Sequence, residues 1–507
     1  MRRTSIPPFV RVGAGALMAM AAGCTARRPD TSPAPIGATT STVSTGAVET
    51  SLTVPLTSTS SEARALYDRG VAAFDQIRFH DAHLLFAQAA ERDPAFAMAH
   101  YQLALTAPTP KEFGEHLNHA VALSDRVSAG ERLMILGLKA QATSEPGQAL
   151  RYAEELVAKY PRDERARMLL GFAYLNQQKY DQAIGELRRA IEINPAFSTA
   201  YNSLGYAYMP VANYAEAERA FRKYIELVPR EPNPYDSYAE LLLKTGRFDE
   251  SIEQYGKALS IDPYFGSSRI GIAANLMYQG RHDQAIAEAQ KLYDAARNDG
   301  DRRTALFNQA LIHVDAGNTA RALQKMEELS AMSARLADTL AMYADAHTTA
   351  DILLEGGRLD DATRQYERAV DLQARSGLPA ELKAQARRTS FYDQARVALA
   401  RGDLATAKAR AADYAREAEA RRDAGELRTA HRLNGSIALQ EKNYQRALAE
   451  LAQADQQNPY VIYLTALAAR GSGDAAKAKE LFSRAASMYV VPTADYVFVR
   501  ARAKKMT

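Results

Sequence analysis

From Ala63 onward, small, bulky apolar and polar positions recur with a period of about 34 residues. When the units are aligned, the eighth position is small: Gly70, Gly171, Gly205, Ala239, Ala310 and Gly435 are examples. So is the twentieth, with Ala82, Ala183, Ala217, Ser251 and Ala447, and often the twenty-seventh, with Ala89, Ala190, Ala258 and Ala485. Between them stand bulky residues such as Phe86, Tyr208, Phe221 and Phe482. Proline closes many units, at Pro94, Pro161, Pro195, Pro229 and Pro263. This pattern predicts two antiparallel helices per unit. The small residues let helix backbones approach, the large ones fill the gaps, and the proline cannot continue the second helix. No such pair buries its apolar face alone, so neighbours must stack.

These positions resemble the tetratricopeptide repeat (TPR) family over essentially all of 63–486. Leu66, Tyr201 and Tyr235 stand where the family often carries tryptophan. The stretch Glu231–Pro263 resembles a subgroup of bacterial multi-repeat TPR proteins. The resemblance implies an all-α, right-handed superhelical solenoid of antiparallel helix pairs. The unit at 97–129 is degenerate, with Phe113 and Ala120 marking its second helix. Beyond residue 290 the period lengthens and the closing prolines disappear. Ser376-Gly377-Leu378-Pro379 breaks one long helix, and Ala380–Ala400 and Ala405–Leu433 read as longer helices. The expected division is 61–297 and 298–507, two arrays with a possible bend between them, the second ending in a capping helix after Pro492.

The first sixty residues follow another pattern. Residues 1–11 carry Arg2, Arg3 and Arg11, and Val12–Ala22 is a short apolar run. It is shorter than the roughly 20 residues a membrane-spanning helix needs, but it suits a signal peptide. Ala21-Ala22-Gly23-Cys24 then resembles a bacterial lipobox, which implies cleavage after Gly23 and acylation of Cys24, the one cysteine of the chain. Residues 24–60, rich in Ser, Thr and Pro, read as a disordered tether with an r.m.s. span of roughly 30–35 Å. Acyl chains anchor stably. With Thr25 after the cysteine, the resemblance implies the outer membrane facing the periplasm.

Charge removes some functions. The net charge of +3 comes from the three arginines of residues 1–23, so the mature chain is balanced and offers no global attraction for nucleic acid. A lone cysteine excludes an intrachain disulfide and a thiolate metal cluster. No HExxH, Walker-type phosphate loop, GxGxxG, GxSxG or EF-hand pattern occurs. His80 and His83 are three apart, as are His116 and His119, a spacing a metal could bridge. No third ligand is apparent nearby, and surface histidines are the plainer reading. No metal, cofactor or enzymatic activity is expected.

Function would then lie on the concave surface, which in TPR folds is lined by the first helix of each unit. In three adjacent units those positions include Met168 and Phe172, Asn202 and Tyr206, then Asn233, Asp236 and Glu240. Phe172, Asn202, Tyr206, Asp236 and Glu240 form the candidate partner-binding groove: amides for an extended backbone, aromatics for side chains. Phe172 and Tyr206 fit packing between helices equally well. Met168 and Ser203 stand where a carboxylate clamp would need basic and Asn residues, so a chaperone-tail ligand is rejected. The acidic pair favours a basic or neutral segment. The leading expectation is a scaffold for an unidentified envelope protein or peptide. The alternatives are a small-molecule or glycan site in the same groove, or an unrecognised enzyme.

Overall fold

The structure, a computed structural model, describes residues 53–76, 78–143, 145–376, 380–421 and 423–507. The signal region, Cys24 and most of the predicted tether lie outside the described residues. The rest is helical and contains no strand among the described residues.

The first repeats run α1 (Ser61–Asp75), α2 (Phe79–Arg92), α3 (Ala97–Thr106), α4 (Pro110–Leu123), α5 (Ala129–Ala142) and α6 (Pro146–Lys159). The best-formed follow: α7 (Glu164–Asn176), α8 (Tyr180–Ile193), α9 (Ser198–Tyr208), α10 (Tyr214–Leu227), α11 (Asn233–Lys244) and α12 (Phe248–Ile261). Next come α13 (Gly266–Tyr278), α14 (His282–Asp294), α15 (Asp299–Asp315), α16 (Thr319–Arg335), α17 (Thr339–Glu355) and α18 (Leu359–Ala374). The last are α19 (Ala380–Arg401), α20 (Leu404–Arg421), α21 (Ala424–Gln440), α22 (Tyr444–Gln453), α23 (Pro459–Gly471), α24 (Ala475–Ala486) and α25 (Ala494–Lys504).

Each odd helix through α23 pairs with the even one after it, and each pair packs on the next. The predicted small positions are where backbones meet. A Cβ on Gly205 would fall 2.5 Å from Phe221, and one on Gly70 2.5 Å from Phe86. Gly435 is closed in the same way by Leu451, at 2.6 Å. Gly137, at the eighth position of the unit before Gly171, differs, since a Cβ there would stand 3.9 Å from its nearest neighbour, Tyr152. The first helices form an inner layer: all ten residues of α3 are buried. The second helices bury one stripe, as α8 does through Ala183, Glu186, Leu187 and Ala190. The longer helices are α15 to α21, of 16 to 22 residues. The stretch Ala405–Leu433 is two helices rather than one, because the Asp423 side chain accepts the N–H groups of Gly425 and Glu426 and starts α21.

Two features depart from a simple open solenoid. First, residues 53–60, assigned above to the tether, are a packed strap. The Val54 N–H donates to Asp163 Oδ2 at 3.0 Å, the Thr57 N–H to Glu131 Oε1 at 2.8 Å, and Ser58 Oγ to Asp93 Oδ2 at 2.7 Å. Val54 itself is buried against Gly130. Carboxylates at successive repeat junctions thus satisfy an extended backbone that composition alone marks as unfolded.

Second, the superhelix closes on itself. Asp338 accepts the Lys111 N–H at 3.2 Å, Gln178 donates to Asp455 at 2.8 Å, and Gln457 donates to the Pro210 carbonyl at 3.2 Å. The terminal helix α25 does more than cap the end. It packs on α15, α17 and α23 and buries Tyr496, Val497, Phe498 and Val499. Its charges pair with inner-layer partners: Asp495 with Arg432 at 3.2 Å, Arg500 with Asp315 at 2.5 Å, and Arg502 with Glu355 at 2.8 Å. Tyr489, just before it, stacks edge-on against Phe248, with ring centroids 4.8 Å apart.

Candidate functional site

The five predicted groove residues lie on α7, α9 and α11, the first helices of three successive units, and they do not make an open surface. Phe172 is buried with Met168 among Leu187, Leu204 and Phe197. Asn202 is 1 % exposed, and its Nδ2 donates to Asn233 Oδ1 at 3.4 Å. Asn233 Oδ1 also accepts from the Tyr224 hydroxyl at 2.9 Å. Asp236, 3 % exposed, accepts from Ser268 at 2.6 Å and Ser267 at 3.2 Å. Tyr206 and Glu240 remain half-buried, and the Tyr206 hydroxyl donates to Glu240 Oε2 at 2.7 Å. The Tyr206 ring meets Phe221 edge-on, 5.2 Å between centroids.

The expected exposed groove is therefore corrected at Phe172, Asn202 and Asp236. Equivalent positions of stacked first helices come together as the repeat predicts. They come close enough to hydrogen-bond one another instead of a ligand. Burial pushes the Asp236 carboxyl up to about 7 against the pull of the Ser268 hydroxyl, and the nearby Glu240 charge adds to the rise. Burial likewise raises Glu240. Tyr206, Glu240 and the neighbouring Met209 and Lys244 are the parts of this region that keep access to solvent.

Two further clusters were not legible as such. In the second half, His347 Nε2 lies 2.8 Å from Asp393 Oδ2 and Nδ1 lies 3.5 Å from Asp351 Oδ2, while Arg396 pairs with Asp351 at 2.6 Å. Burial alone would depress the His347 imidazole, but Asp393 and Asp351 outweigh it and lift it to about 9. All four side chains are nearly enclosed, and each charge finds an opposite one. The cluster joins α17 to α19 through paired buried charges.

In the first half, His83 of α2, His100 of α3, and His116 and His119 of α4 come together. His100 Nδ1 and His116 Nδ1 are 3.3 Å apart, and the His100 ring centroid lies 5.0 Å from that of His119. Burial lowers His83, His100 and His116, the last to about 4 with its imidazole neighbours contributing, so these rings are neutral near pH 7. The helical spacing of His116 and His119 was visible in the sequence, whereas the approach of His100 from another helix was not. Among the described residues, no three imidazole, thiol or carboxylate groups stand as a ready metal cage. No helix of the described residues is long and apolar enough to cross a membrane.

The fold and its strip define a class: a solenoid of paired helices whose inner layer is lined by equivalent positions of successive units. Family models agree. A model described as "TPR repeat" matches residues 161–209, and models described as "Tetratricopeptide repeat" match 198–230, 233–265 and 271–334. Tetratricopeptide repeats thus run through the stretch between residues 161 and 334. No curated protein matches it. Among solved structures, a thermophilic TPR protein of Thermus thermophilus is 25% identical, covering 42% of this chain and 98% of its own, with a TM-score of 0.28. A TPR protein from Parabacteroides merdae is 14% identical over 56% of this chain and 99% of its own, with a TM-score of 0.35. MamA from Desulfovibrio magneticus is 17% identical over 33% of this chain and 96% of its own, with a TM-score of 0.28. These matches span part of the array and carry no argument about function.

Proposed function

We propose that the protein is a lipid-anchored interaction scaffold of the bacterial envelope, without chemistry of its own. The reading rests on the TPR array, a fold whose general role is to hold protein partners. The signal-like segment and Cys24 favour export, acylation and a place at the outer membrane facing the periplasm. The partner surface is the half-buried edge around Tyr206, Met209 and Glu240, where the inner layer keeps solvent access. Its carboxylate and phenol suit a basic or neutral segment of an envelope protein.

Two measurements test this reading. A fatty-acid probe should label the wild type and not Cys24→Ser. A photoreactive amino acid at position 209 should give an adduct with an envelope protein, while the same group at the exposed outer position 260 should not. Equal labelling of wild type and Cys24→Ser would remove the anchor. Adducts from 260 and none from 209 would remove the binding edge.

A further inference from the structure

Residues 487–507 lie against the chain's own inner face, and the way they are held shows what that face recognises. They come in two parts, a non-helical stretch over 487–493 and the helix α25. The first part is held as an extended ligand is held. The Tyr278 hydroxyl donates to the Val490 carbonyl and accepts its N–H at 3.4 Å, so one side chain serves both backbone groups of one residue. Tyr489 lays its ring against Phe248 and Tyr278, at 4.8 and 5.3 Å between centroids. It also covers Gly246, where a Cβ would stand 3.3 Å from that ring. The second part is read by charge: Asp495 meets Arg432 at 3.2 Å and Asn458 at 2.8 Å, and Arg502 reaches Glu355 at 2.8 Å.

Two observations mark this occupant as replaceable. The first is its attachment. Every helix through α24 belongs to a pair, whereas α25 does not, and it hangs on the chain by 487–493 alone. The second is its fit. Asp315 Oδ2 takes both Arg500 Nη1 at 2.5 Å and His282 Nε2 at 2.9 Å, while Asp315 Oδ1 and Arg500 Nε are enclosed with no partner among the described residues. Arg500 spends Nη2 on the Tyr278 carbonyl at 3.0 Å, so it grips the carboxylate with one nitrogen where a guanidinium can use two. An oxygen and an N–H left unpaired in a buried place weaken the tail's hold.

We propose that the inner face of α13, α15 and α17 is a docking site for a segment of a partner protein, and that residues 487–507 hold it shut until that segment displaces them. The segment has the tail's chemistry: an extended aromatic and aliphatic stretch leading into a helix with arginines for Asp315 and Glu355. A second copy of this chain would bring the same one-nitrogen grip and gain nothing over the resident tail. A different segment can present its arginine to both oxygens of Asp315. The face is separate from the Tyr206–Glu240 edge, so either surface can fail without the other.

The probe is a dye-labelled synthetic peptide of residues 487–507, titrated into the full chain and followed by fluorescence anisotropy. In the wild type the resident tail competes at an effective concentration on the order of millimolar, so the peptide should bind poorly. Arg500→Glu sets a carboxylate against Asp315 and should expel the resident tail, so the peptide should bind that chain at least roughly tenfold more tightly. A peptide that itself carries Arg500→Glu should bind the same chain about tenfold more weakly than the unaltered one. Tyr489→Ala loosens the tail without adding a charge, should give a smaller gain in the same direction, and decides the matter if the first variant fails to fold. In the wild type, hydrogen exchange should show 494–504 opening ahead of α15 and α16. Equal peptide affinity for the wild type and both variants, or exchange of 494–504 only together with α15, would overturn the proposal. Sedimentation should find the wild type monomeric. A wild-type dimer that Arg500→Glu returns to monomer would give the face to a second copy's tail and overturn the foreign partner.

Discussion

Gly205 offers the sharpest test of the repeat register. A Cβ there would sit 2.5, 2.6 and 2.8 Å from three ring carbons of Phe221. Phe221 is 0% exposed and packs in turn on Tyr206, so the ring has nowhere to go. Two effects oppose each other in Gly205→Ala. Replacing glycine inside a helix gains about 0.5–1 kcal/mol. Overpacking a fixed ring costs about 1–3 kcal/mol. The clash should win, for a net loss of about 1–2 kcal/mol, with Gly205→Leu costing more.

Gly185 and Gly256 are internal controls. They lie inside α8 and α12, where nothing stands within 4 Å of a new Cβ, so alanine there should stabilise by about 0.5–1 kcal/mol. Hydrogen exchange followed by mass spectrometry is the right assay, since a repeat array need not unfold in one step. Protection over residues 164–265 should fall roughly tenfold for Gly205→Ala, at 1.4 kcal/mol per decade, and rise for Gly185→Ala. If Gly205→Ala stabilises like Gly185→Ala, the helix contact is misplaced and the alignment of the units fails.

Further outcomes follow from the buried charges. Asp236 titrates near 7 in the fold against an ordinary 3.8. Its contribution is therefore present below about pH 4 and is lost as pH rises through 7. On the order of 3 kcal/mol of local stability should disappear between pH 4 and 8 and persist in Asp236→Asn. His347, raised to about 9, stabilises its surroundings below pH 6.5 and loses that contribution as pH rises through 9. Exchange over 339–401 should accelerate there, and His347→Leu should abolish the trend. Arg500→Met strands the buried Asp315 with His282 alone, 2.9 Å away, and should cost about 3–5 kcal/mol in chemical denaturation. Adding Asp315→Leu should recover most of that loss, and a double variant as unstable as the single would argue that α25 is held by packing alone.

The helix pairs were legible because their cause is local and repeated. One small residue facing one ring, as with Gly205 and Phe221, recurs at a fixed spacing and needs no distant partner. The strip was half legible. Register places Tyr206 beside Glu240 and Asn202 beside Asn233, but exposure depends on how closely first helices stack, which no single position encodes. Asn and Asp at those positions read as groove ligands, yet they are spent on Asn233, Ser267 and Ser268. The strap and the histidine cluster share a different obstacle. Val54 meets Asp163 and His83 meets His116 across repeat boundaries, while His100 meets His116 across the two helices of one degenerate unit. Nothing in the local pattern marks those pairings.

Closure changes what the repeat array can be. In an open solenoid each unit feels its neighbours, so a perturbation decays along the chain. Here Gln178 and Pro210 reach residues 455–457, and Tyr278 accepts the Val490 N–H at 3.4 Å. The first set consists of polar bonds that still touch solvent, each worth about 0.5–1.5 kcal/mol at most. The contact through α25 is of another order, with a buried aromatic and aliphatic face and the enclosed Arg500–Asp315 pair. Damage at Gly205 should thus spread weakly to α22, whereas damage at Arg500 should reach Tyr278 and Phe248 at once. The inner surface near α13 and α15 is likewise taken by the chain's own last helix. A partner of the kind proposed would therefore have to engage the Tyr206–Glu240 edge from outside that contact, or else displace a segment whose burial rivals that of the repeats themselves.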